Sequence, residues 1–265
     1  MNWKSLPVLL SGLALASVAP LSHAAVYSQS FTAANGTTGA GLGDGSSING
    51  SGDGGYIPSI QGNALELTNA ANGGTTSTFM IPALANSSKG FTATFDVFLQ
   101  DTQGGNRPAD GFGFVYGSGL IAGSVFGEEG PGSANSLTWV LDSWDNTWGN
   151  DGGEARIKIG AVNAYNLPYK VLSDGETRNI SVSLEWSPTN GASLSVDGVS
   201  LYTNVLIPSG NFTAGDDYMF GIGGRTGGAT ETLRIDNLRI VTVPEPTVAL
   251  LAGLGGLGAL MRRRR

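Results

Sequence analysis

Short runs in which apolar and polar residues alternate recur along most of this 265-residue chain. A period of two places every second side chain on the same face of a β-strand, so each run predicts a strand with one apolar face. The helical period of 3.6 residues is almost absent from the same stretch. The runs are Phe91–Leu99, Ala155–Ala161, Ile180–Trp186, Leu194–Val196, Tyr218–Ile222 and Leu233–Ile240.

Turn-forming residues separate these runs. Thr189-Asn190-Gly191 and Asp197-Gly198 are typical turn sequences. Within the last run the alternation shifts at Asp236-Asn237, as expected where one extra residue forms a β-bulge. Many short strands joined by turns predict an all-β protein in which two antiparallel sheets pack face to face as a β-sandwich.

The stretch Asn35–Tyr56 consists largely of Gly, Ser, Asn and Asp and has almost no apolar residue. A flexible linker between domains would have this composition. However, the strand-like segments Tyr27–Phe31 and Ala64–Thr68 flank it. We therefore expect a long surface loop within a single domain.

Residues 1–24 have the pattern of a secretory signal peptide. Lys4 precedes an apolar stretch, Leu6–Ala19, and Ser22-His23-Ala24 places small residues at the two positions that signal peptidase reads. An uncleaved membrane anchor is the alternative, but the apolar stretch is too short for one. We expect signal peptidase to remove this helical segment during export.

Missing residue types exclude several kinds of chemistry. The chain has no Cys, so it forms no disulfide and has no thiolate nucleophile or ligand. Its single His is His23, which the predicted cleavage removes. A Ser-His-Asp triad and a histidine-ligated metal site are therefore excluded from the mature protein.

The C-terminus has three parts in a fixed order, namely Val243-Pro244-Glu245-Pro246, the apolar run Thr247–Met261 and the basic tail Arg262–Arg265. As a helix the apolar run would be about 22 Å long, shorter than the roughly 30 Å core of a bilayer. This order resembles the PEP-CTERM sorting signal. The resemblance implies a Gram-negative bacterium, transient anchoring in the inner membrane, processing by an exosortase, and delivery to the cell surface or the exopolysaccharide matrix. A permanent anchor is the alternative.

Between these segments, residues 25–242 form one predicted domain, and residues 243–265 form the sorting segment. The whole chain has 14 basic and 21 acidic residues; without Lys4, the four terminal arginines and Glu245, the domain has 9 basic and 20 acidic residues and a net charge of −11. Such a surface repels nucleic acid phosphates, so DNA and RNA are not expected partners. It suits a protein that holds divalent cations.

Two segments contain candidate binding residues. One is Ala109–Phe114, with the sequence Ala-Asp-Gly-Phe-Gly-Phe, and the other is the strand and loop from Leu137 to Asp151. In the second segment, hard oxygen atoms that suit calcium are supplied by Asp142, the Trp144 carbonyl, Asn146 and Asp151. Asp and Asn are also common in turns, and spacing alone favours a plain turn.

These two segments resemble the carbohydrate-binding and calcium loops of the L-type, or legume-like, lectins, which have a concanavalin A-like jelly-roll fold. A third segment, Tyr218–Gly227, resembles the strand that leads into their last sugar-contacting loop. The resemblance implies a calcium-dependent protein that binds a polysaccharide or other glycan. It assigns sugar binding to Asp110, Gly111, Trp144, Asn146 and Gly227, and calcium binding to Asp142, Trp144, Asn146 and Asp151. It also implies a cis peptide between Ala109 and Asp110.

Plant members of this family hold a second, transition metal through a Glu and a His. The equivalent residues here are Val140 and Arg156, so the resemblance implies that this second site is absent. We expect the Arg156 guanidinium to replace part of the missing charge by pairing with Asp142 or Asp151. A solvated strand residue is an equally weighted interpretation of Arg156.

The tryptophans divide into two groups. Trp139 and Trp186 are at apolar strand positions and are expected in the core. Trp144 and Trp148 are in a polar loop, where Trp144 is the better candidate for stacking on a sugar.

Two other function classes remain open. Hydrolases with this fold carry Glu-x-Asp-x-x-Glu on one strand, and Val140–Asp145 lacks both glutamates. Glu128-Glu129 are interpreted as a solvated turn in a Gly/Pro loop. We therefore predict that the protein is not an enzyme. The remaining alternative is a structural matrix protein that keeps the fold and binds nothing.

Overall fold

The alternating runs are β-strands in the computed structural model of the chain, which describes residues 23–52, 56–102, 108–133, 135–144, 153–208 and 210–244. The strands are β1 (Val26–Gln29), β2 (Ser47–Gly52), β3 (Ser59–Gln61), β4 (Ala64–Thr68), β5 (Thr75–Ile81), β6 (Phe91–Gln100), β7 (Gly111–Gly117), β8 (Ser136–Asp142), β9 (Glu154–Ile159), β10 (Val162–Pro168), β11 (Thr177–Ser187), β12 (Gly191–Val196), β13 (Val199–Val205), β14 (Met219–Arg225) and β15 (Thr232–Thr242), and a short 3-10 helix spans Ser87–Lys89.

These strands form two sheets. One has the order β13-β12-β11-β6-β15-β4-β3, with β1 also paired to β15, and the other has the order β10-β9-β8-β7-β14-β5-β2. Neighbouring strands in both sheets are antiparallel. The prediction of an all-β, two-sheet antiparallel sandwich is confirmed.

The core lies between the sheets and is rich in aromatic side chains. On β6 the apolar and polar residues alternate between buried and half-buried, so one face of the strand packs inward. Phe91 on this strand contacts rings from both sheets, with centroids 5.0–6.2 Å away, in Phe114, Tyr116, Trp139, Trp186 and Phe220. Trp139 and Trp186 are buried here, which confirms that they belong to the core.

The predicted β-bulge in β15 is also present. The register between β15 and β6 shifts between Asp236 and Arg239, and Asn237 adopts a positive φ of 51°. The extra residue keeps Ile235, Leu238 and Ile240 all buried although their spacing is not strictly two.

The Gly-rich stretch Asn35–Tyr56 departs from the expectation of a plain loop. It contains β2, which pairs with β5 at the edge of the seven-stranded sheet. Ile48 is the only large apolar residue in β2, so the sequence carries no alternation that would reveal a strand. Backbone pairing with β5 forms it instead, which a single-sequence pattern cannot show.

A segment that we call the crossing segment, Phe126–Gly130, runs over the outer face of the seven-stranded sheet. Phe126 packs there with Met80, Val115 and Leu120 in a second, smaller apolar cluster. The strands beneath carry glycine where the segment passes: a Cβ at Gly113 would lie 2.1 Å from the Glu128 carbonyl oxygen, and one at Gly223 would lie 2.5 Å from that of Gly127. The glycines therefore allow backbone to pack directly on sheet.

The predicted signal segment and the sorting tail fall almost entirely on residues 1–22 and 245–265, outside the described part of the chain. Among the residues that are described, none of the helices has the length and apolar character needed to span a bilayer.

Candidate functional site

One transverse row of the seven-stranded sheet brings the candidate residues together. Arg225 pairs with Gly111, Gly111 with Asp142, and Asp142 with Glu154 across four neighbouring strands. At about 4.8 Å between strands, this row extends over roughly 14 Å. The two motifs predicted from the sequence are therefore neighbours in space.

A polar cleft of about 350 Å³ opens at this row. It is lined by Asp110, Glu128, Glu129, Asp142, Trp144, Glu154, Arg156, Asn163, Asn166 and Arg225. Of these, Asp110, Asp142 and Trp144 were predicted as site residues. The β9–β10 residues Glu154, Asn163 and Asn166 were not, because scattered polar residues in a hairpin carry no motif.

The backbone holds Asp110 between two strands. Its N–H donates to the Arg225 carbonyl at 2.9 Å, and its own carbonyl accepts from the Ser143 N–H at 3.3 Å. The Ala109–Asp110 peptide is cis, as the resemblance implied. The next residue must be glycine, since Gly111 has a φ of 98° and a Cβ there would lie 2.2 Å from the Leu141 carbonyl oxygen.

The Asp110 side chain is 13% exposed and faces the Arg225 guanidinium, with Nε 3.2 Å from Oδ2. Burial raises the pKa of the Asp110 carboxyl, the Arg225 charge opposes this rise, and the Glu129 charge adds to it. Gly227 lies beside the same carboxylate, since a Cβ built on it would be 3.4 Å from Oδ2. The structure thus brings Asp110, Gly111 and Gly227 together at one end of the cleft.

The interpretation of Glu128 and Glu129 as a solvated turn is wrong. The Glu128 side chain is 2% exposed, and its two oxygens accept from Arg225 Nε at 3.1 Å and Nη2 at 2.8 Å. Glu129 is half-buried and ion-paired with Arg156 and Lys158. The partners lie 97, 27 and 29 residues away in sequence, so no local pattern could reveal them.

These pairs set the ionisation of the two glutamates in opposite directions. Burial raises the pKa of Glu128, although Arg225 opposes the rise. Burial also acts on Glu129, but the hydrogen bond and charge of Lys158, together with Arg156, outweigh it and lower the pKa of Glu129.

Asp142 ends β8 and is nearly buried. Its Oδ1 accepts the Trp144 N–H at 2.8 Å, and its Oδ2 accepts from Arg156 Nη2 at 2.6 Å. Burial raises the pKa of Asp142 to about 7; Arg156 and the Trp144 N–H oppose this rise, and Glu128 and Glu129 add to it. The expected pairing of Arg156 with Asp142 is confirmed. Arg156 is only 7% exposed, so the solvated-strand interpretation is wrong.

Only part of the predicted calcium set lies in the described chain. Asp142 and Trp144 are described, whereas Asn146, Asp151 and also Trp148 fall in residues 145–152, outside the described part. Within the described ranges, no three His, Cys, Asp or Glu residues are grouped to hold an ion. The oxygen atoms of the cleft nevertheless suit a hard cation. Five carboxylates and two guanidinium groups line it, which gives an excess of three negative charges when all of them are ionised.

A further acid, Glu231, lies beneath the site and is fully buried. Burial raises the pKa of Glu231 to about 8; the Ser143 hydroxyl and the Gly111 N–H oppose this rise, and the charges of Asp110 and Asp142 add to it. Glu231 belongs to no motif in the sequence, because it follows a Gly-rich turn and has no basic residue directly beside it.

We expect Glu231→Gln to flatten the pH dependence of stability. In the folded protein the carboxyl keeps its proton up to a pH of about 8, whereas unfolded Glu ionises near its ordinary pKa of 4.5. The free energy of unfolding therefore falls as pH rises through this window, by roughly 3 kcal/mol from pH 5 to pH 8. Glutamine cannot ionise and removes this loss.

Urea denaturation of calcium-free protein at pH 5 and pH 8 measures the effect. Glu185→Gln is the matched control, since Glu185 is exposed on β11. If Glu231→Gln and wild type lost equal stability between the two pH values, Glu231 would not titrate in this range.

Solved structures with the same architecture identify the fold. The acidic lectin of winged bean, complexed with methyl-α-D-galactose, superposes with a TM-score of 0.60 over 84% of this chain and 100% of its own, at 19% identity. The chain has the fold of the legume lectins. Two further structures with this lectin fold are lectin II from Ulex europaeus (TM-score 0.58, 13% identity, 82% of this chain and 98% of that one) and the lectin of Bauhinia forficata in complex with GalNAc (0.58, 15%, 83% and 99%).

No family model and no curated protein matches the sequence. At identities of 13–19% the structural likeness establishes the legume-lectin fold and leaves function to be argued from the cleft.

Proposed function

We propose that this protein is a carbohydrate-binding protein whose ligand occupies the cleft at Asp110. The observation that carries the proposal is the meeting of Asp110, Gly227, Asp142 and Trp144 at one cleft of a legume-lectin fold. The winged bean and Bauhinia structures contain a galactoside and GalNAc. Their likeness supports a sugar as the ligand class here.

The chemistry of the cleft suits hydroxyl-rich ligands. Carboxylates accept hydrogen bonds, guanidinium groups donate them, and the Asn163 and Asn166 amides do both. Trp144 is half-buried at the cleft and offers an aromatic surface to the apolar face of a sugar ring. A few convergent polar groups beside an aromatic ring are typical of a site that orients a small ligand.

We further propose that calcium assists this binding. Asp142 and the Trp144 carbonyl would hold the ion together with Asn146 and Asp151 from the neighbouring loop. When bound, calcium supplies positive charge that offsets the excess of carboxylates and fixes the loop that carries Trp144 and Asn146. Asn146 would then also donate its amide to the sugar.

Titration calorimetry of the purified protein with calcium, followed by a glycan array with calcium or with EDTA, tests both statements. We expect about one ion per chain, a higher melting temperature with calcium, and glycan retention that EDTA removes. Glycan binding that persists in EDTA would reject the calcium role alone. If no glycan were retained under either condition, the matrix-protein alternative would replace the proposal.

Glycoside hydrolysis is the alternative function for this fold, because several carboxylates line the cleft. Hydrolysis needs two carboxyl groups about 5–9 Å apart that reach the scissile bond, one acting as acid. Here Glu128 is paired with Arg225, and Asp142 and Glu129 share Arg156. These pairings support binding without hydrolysis, and unchanged oligosaccharide after prolonged incubation is the expected result.

The sequence segments at the two ends support a proposal for the place of action. We propose export through signal peptidase, transient inner-membrane anchoring, and release or sorting by an exosortase to the cell surface or matrix. The exopolysaccharide of the producing cell is then the most accessible glycan. The domain charge of −11 supports a partner other than nucleic acid.

A further inference from the structure

Arg225 occupies a position in the cleft that the proposed function does not explain. It ends β14, and its guanidinium lies between two carboxylates, those of Asp110 and Glu128. Glu128 is 2% exposed, whereas the Arg225 side chain is 48% exposed. One side of the guanidinium is therefore held by protein and the other faces the solvent in the cleft.

The neighbours of Arg225 fix its orientation despite this exposure. Glu128 accepts from both Nε and Nη2, at 3.1 and 2.8 Å, a bidentate pair that sets the plane of the guanidinium. The aliphatic stem passes over Gly127, where a Cβ would lie 2.9 Å from Arg225 Cβ and 3.3 Å from its Cδ. The Arg225 carbonyl in turn accepts the Asp110 N–H.

The remaining nitrogen is available to a ligand. Within the described parts of the chain, the hydrogen bonds and ion pairs of Arg225 use Nε and Nη2, and none uses Nη1. The Asp110 Oδ2 atom is buried and ion-paired with Nε, so a ligand reaches this carboxylate through its other oxygen, Oδ1, on a side chain that is 13% exposed. A donor and an acceptor thus lie side by side on one wall of the cleft.

A carboxylate beside a guanidinium matches two adjacent hydroxyl groups of a sugar. One hydroxyl donates to the carboxylate, and its neighbour accepts from the guanidinium. An acidic sugar fits less well, because Asp110 and Glu128 already neutralise Arg225 and the lined cleft keeps an excess of three carboxylates. Lys158, which pairs with Glu129, and the Asp151 carboxylate, a proposed calcium ligand, add one charge of each sign, so one bound calcium would still leave one negative charge.

We propose that Arg225 contacts the ligand beside Asp110 and selects neutral sugars that present a vicinal diol, with Glu128 as the residue that positions it. This inference rests on the proposed carbohydrate-binding function. It adds a specificity-determining residue and a ligand class, neutral rather than uronic-acid glycans.

The test uses the purified protein on an array that pairs neutral glucose, galactose and mannose glycans with glucuronate and galacturonate glycans. Wild type should retain neutral sugars about tenfold better than the matched uronates. Arg225→Lys keeps the positive charge beside Glu128 but loses the planar guanidinium and its paired N–H donors. It should therefore weaken retention of the preferred sugar about tenfold and alter the ranking among neutral sugars. Glu128→Gln should shift the same ranking.

The melting temperature of each variant shows whether it folds. Asp236→Asn, on the other sheet, is the matched control, and its glycan retention on the array should equal that of wild type. A folded Arg225→Lys with the wild-type ranking and affinity would overturn the inference while leaving sugar binding intact. A wild-type preference for uronates that Arg225→Lys abolishes would overturn the neutral-sugar class. If wild type retained no glycan at all, this inference would fail together with the proposed function.

Discussion

Replacing Arg156 with glutamine is expected to lower the free energy of unfolding by about 3–5 kcal/mol. Arg156 is 7% exposed and pairs with Asp142, itself 5% exposed, and with Glu129. Glutamine removes the cation that opposes the rise in the pKa of Asp142, so this buried group either stays charged without that cation or takes up a proton, and both cost stability. Lys158 still reaches Glu129, so the uncompensated charge is mainly that of Asp142.

Urea denaturation measures the loss, and Arg239→Gln is the matched control because Arg239 is exposed on β15. That control should change stability by less than about 1 kcal/mol. In the double variant Arg156→Gln with Asp142→Asn, the buried charge is gone and part of the lost stability should return. Equal denaturation midpoints for Arg156→Gln and Arg239→Gln would show that the buried pair contributes no net stability.

The Asp110→Asn variant is expected to lose glycan affinity by about 100-fold. A carboxylate that accepts from two sugar hydroxyls makes charge-assisted hydrogen bonds worth about 1.5–3 kcal/mol each. The amide keeps the shape of Asp110 but replaces one acceptor oxygen with a donor. The Arg225 guanidinium also loses one of its two anionic neighbours, while Glu128 still holds it.

Isothermal titration with the best glycan from the array gives this affinity directly. Asp236→Asn removes the same charge on the outer side of the other sheet and should bind like wild type. Calcium binding by Asp110→Asn should persist, because the proposed ligands are other residues. A folded Asp110→Asn variant that binds the glycan within threefold of wild type would remove Asp110 from the site.

Much of the sandwich follows from local pattern. In β6 and β11 the alternation of apolar and polar residues is nearly perfect, and burial alternates with it. Asp197-Gly198 adopts positive φ at both residues, as a tight hairpin between β12 and β13 requires. The β-bulge at Asp236 follows from the same period because the shift in parity is visible in sequence.

The strands of the seven-stranded sheet are harder to predict from the sequence pattern. β7 and β8 are buried on both faces because the crossing segment and its neighbours cover the outer side. Their apolar residues therefore do not alternate strictly, and β2 has almost none. These strands depend on partners distant in sequence, which local propensity does not encode.

The site was predictable only where residue type and spacing form a motif. Asp110 and Asp142 were predicted from two loops that the structure does bring together. The pairing of Arg225 with Glu128 and of Lys158 with Glu129 was not predicted, because these cations reach the glutamates across the sheet. Ion pairs between strands that are distant in sequence cannot be read from local pattern. Arg156 was the exception, because it stands where the legume-like lectins have a metal-binding His.

The crossing segment makes the two halves of the cleft depend on one loop of fixed length. Glu128 holds the arginine beside Asp110, and the very next residue, Glu129, holds the arginine beside Asp142. Most surface loops gain or lose residues freely during divergence. Here a single inserted residue would displace both glutamates from their arginines at once. We therefore expect an insertion or deletion within the crossing segment to impair both halves of the cleft together.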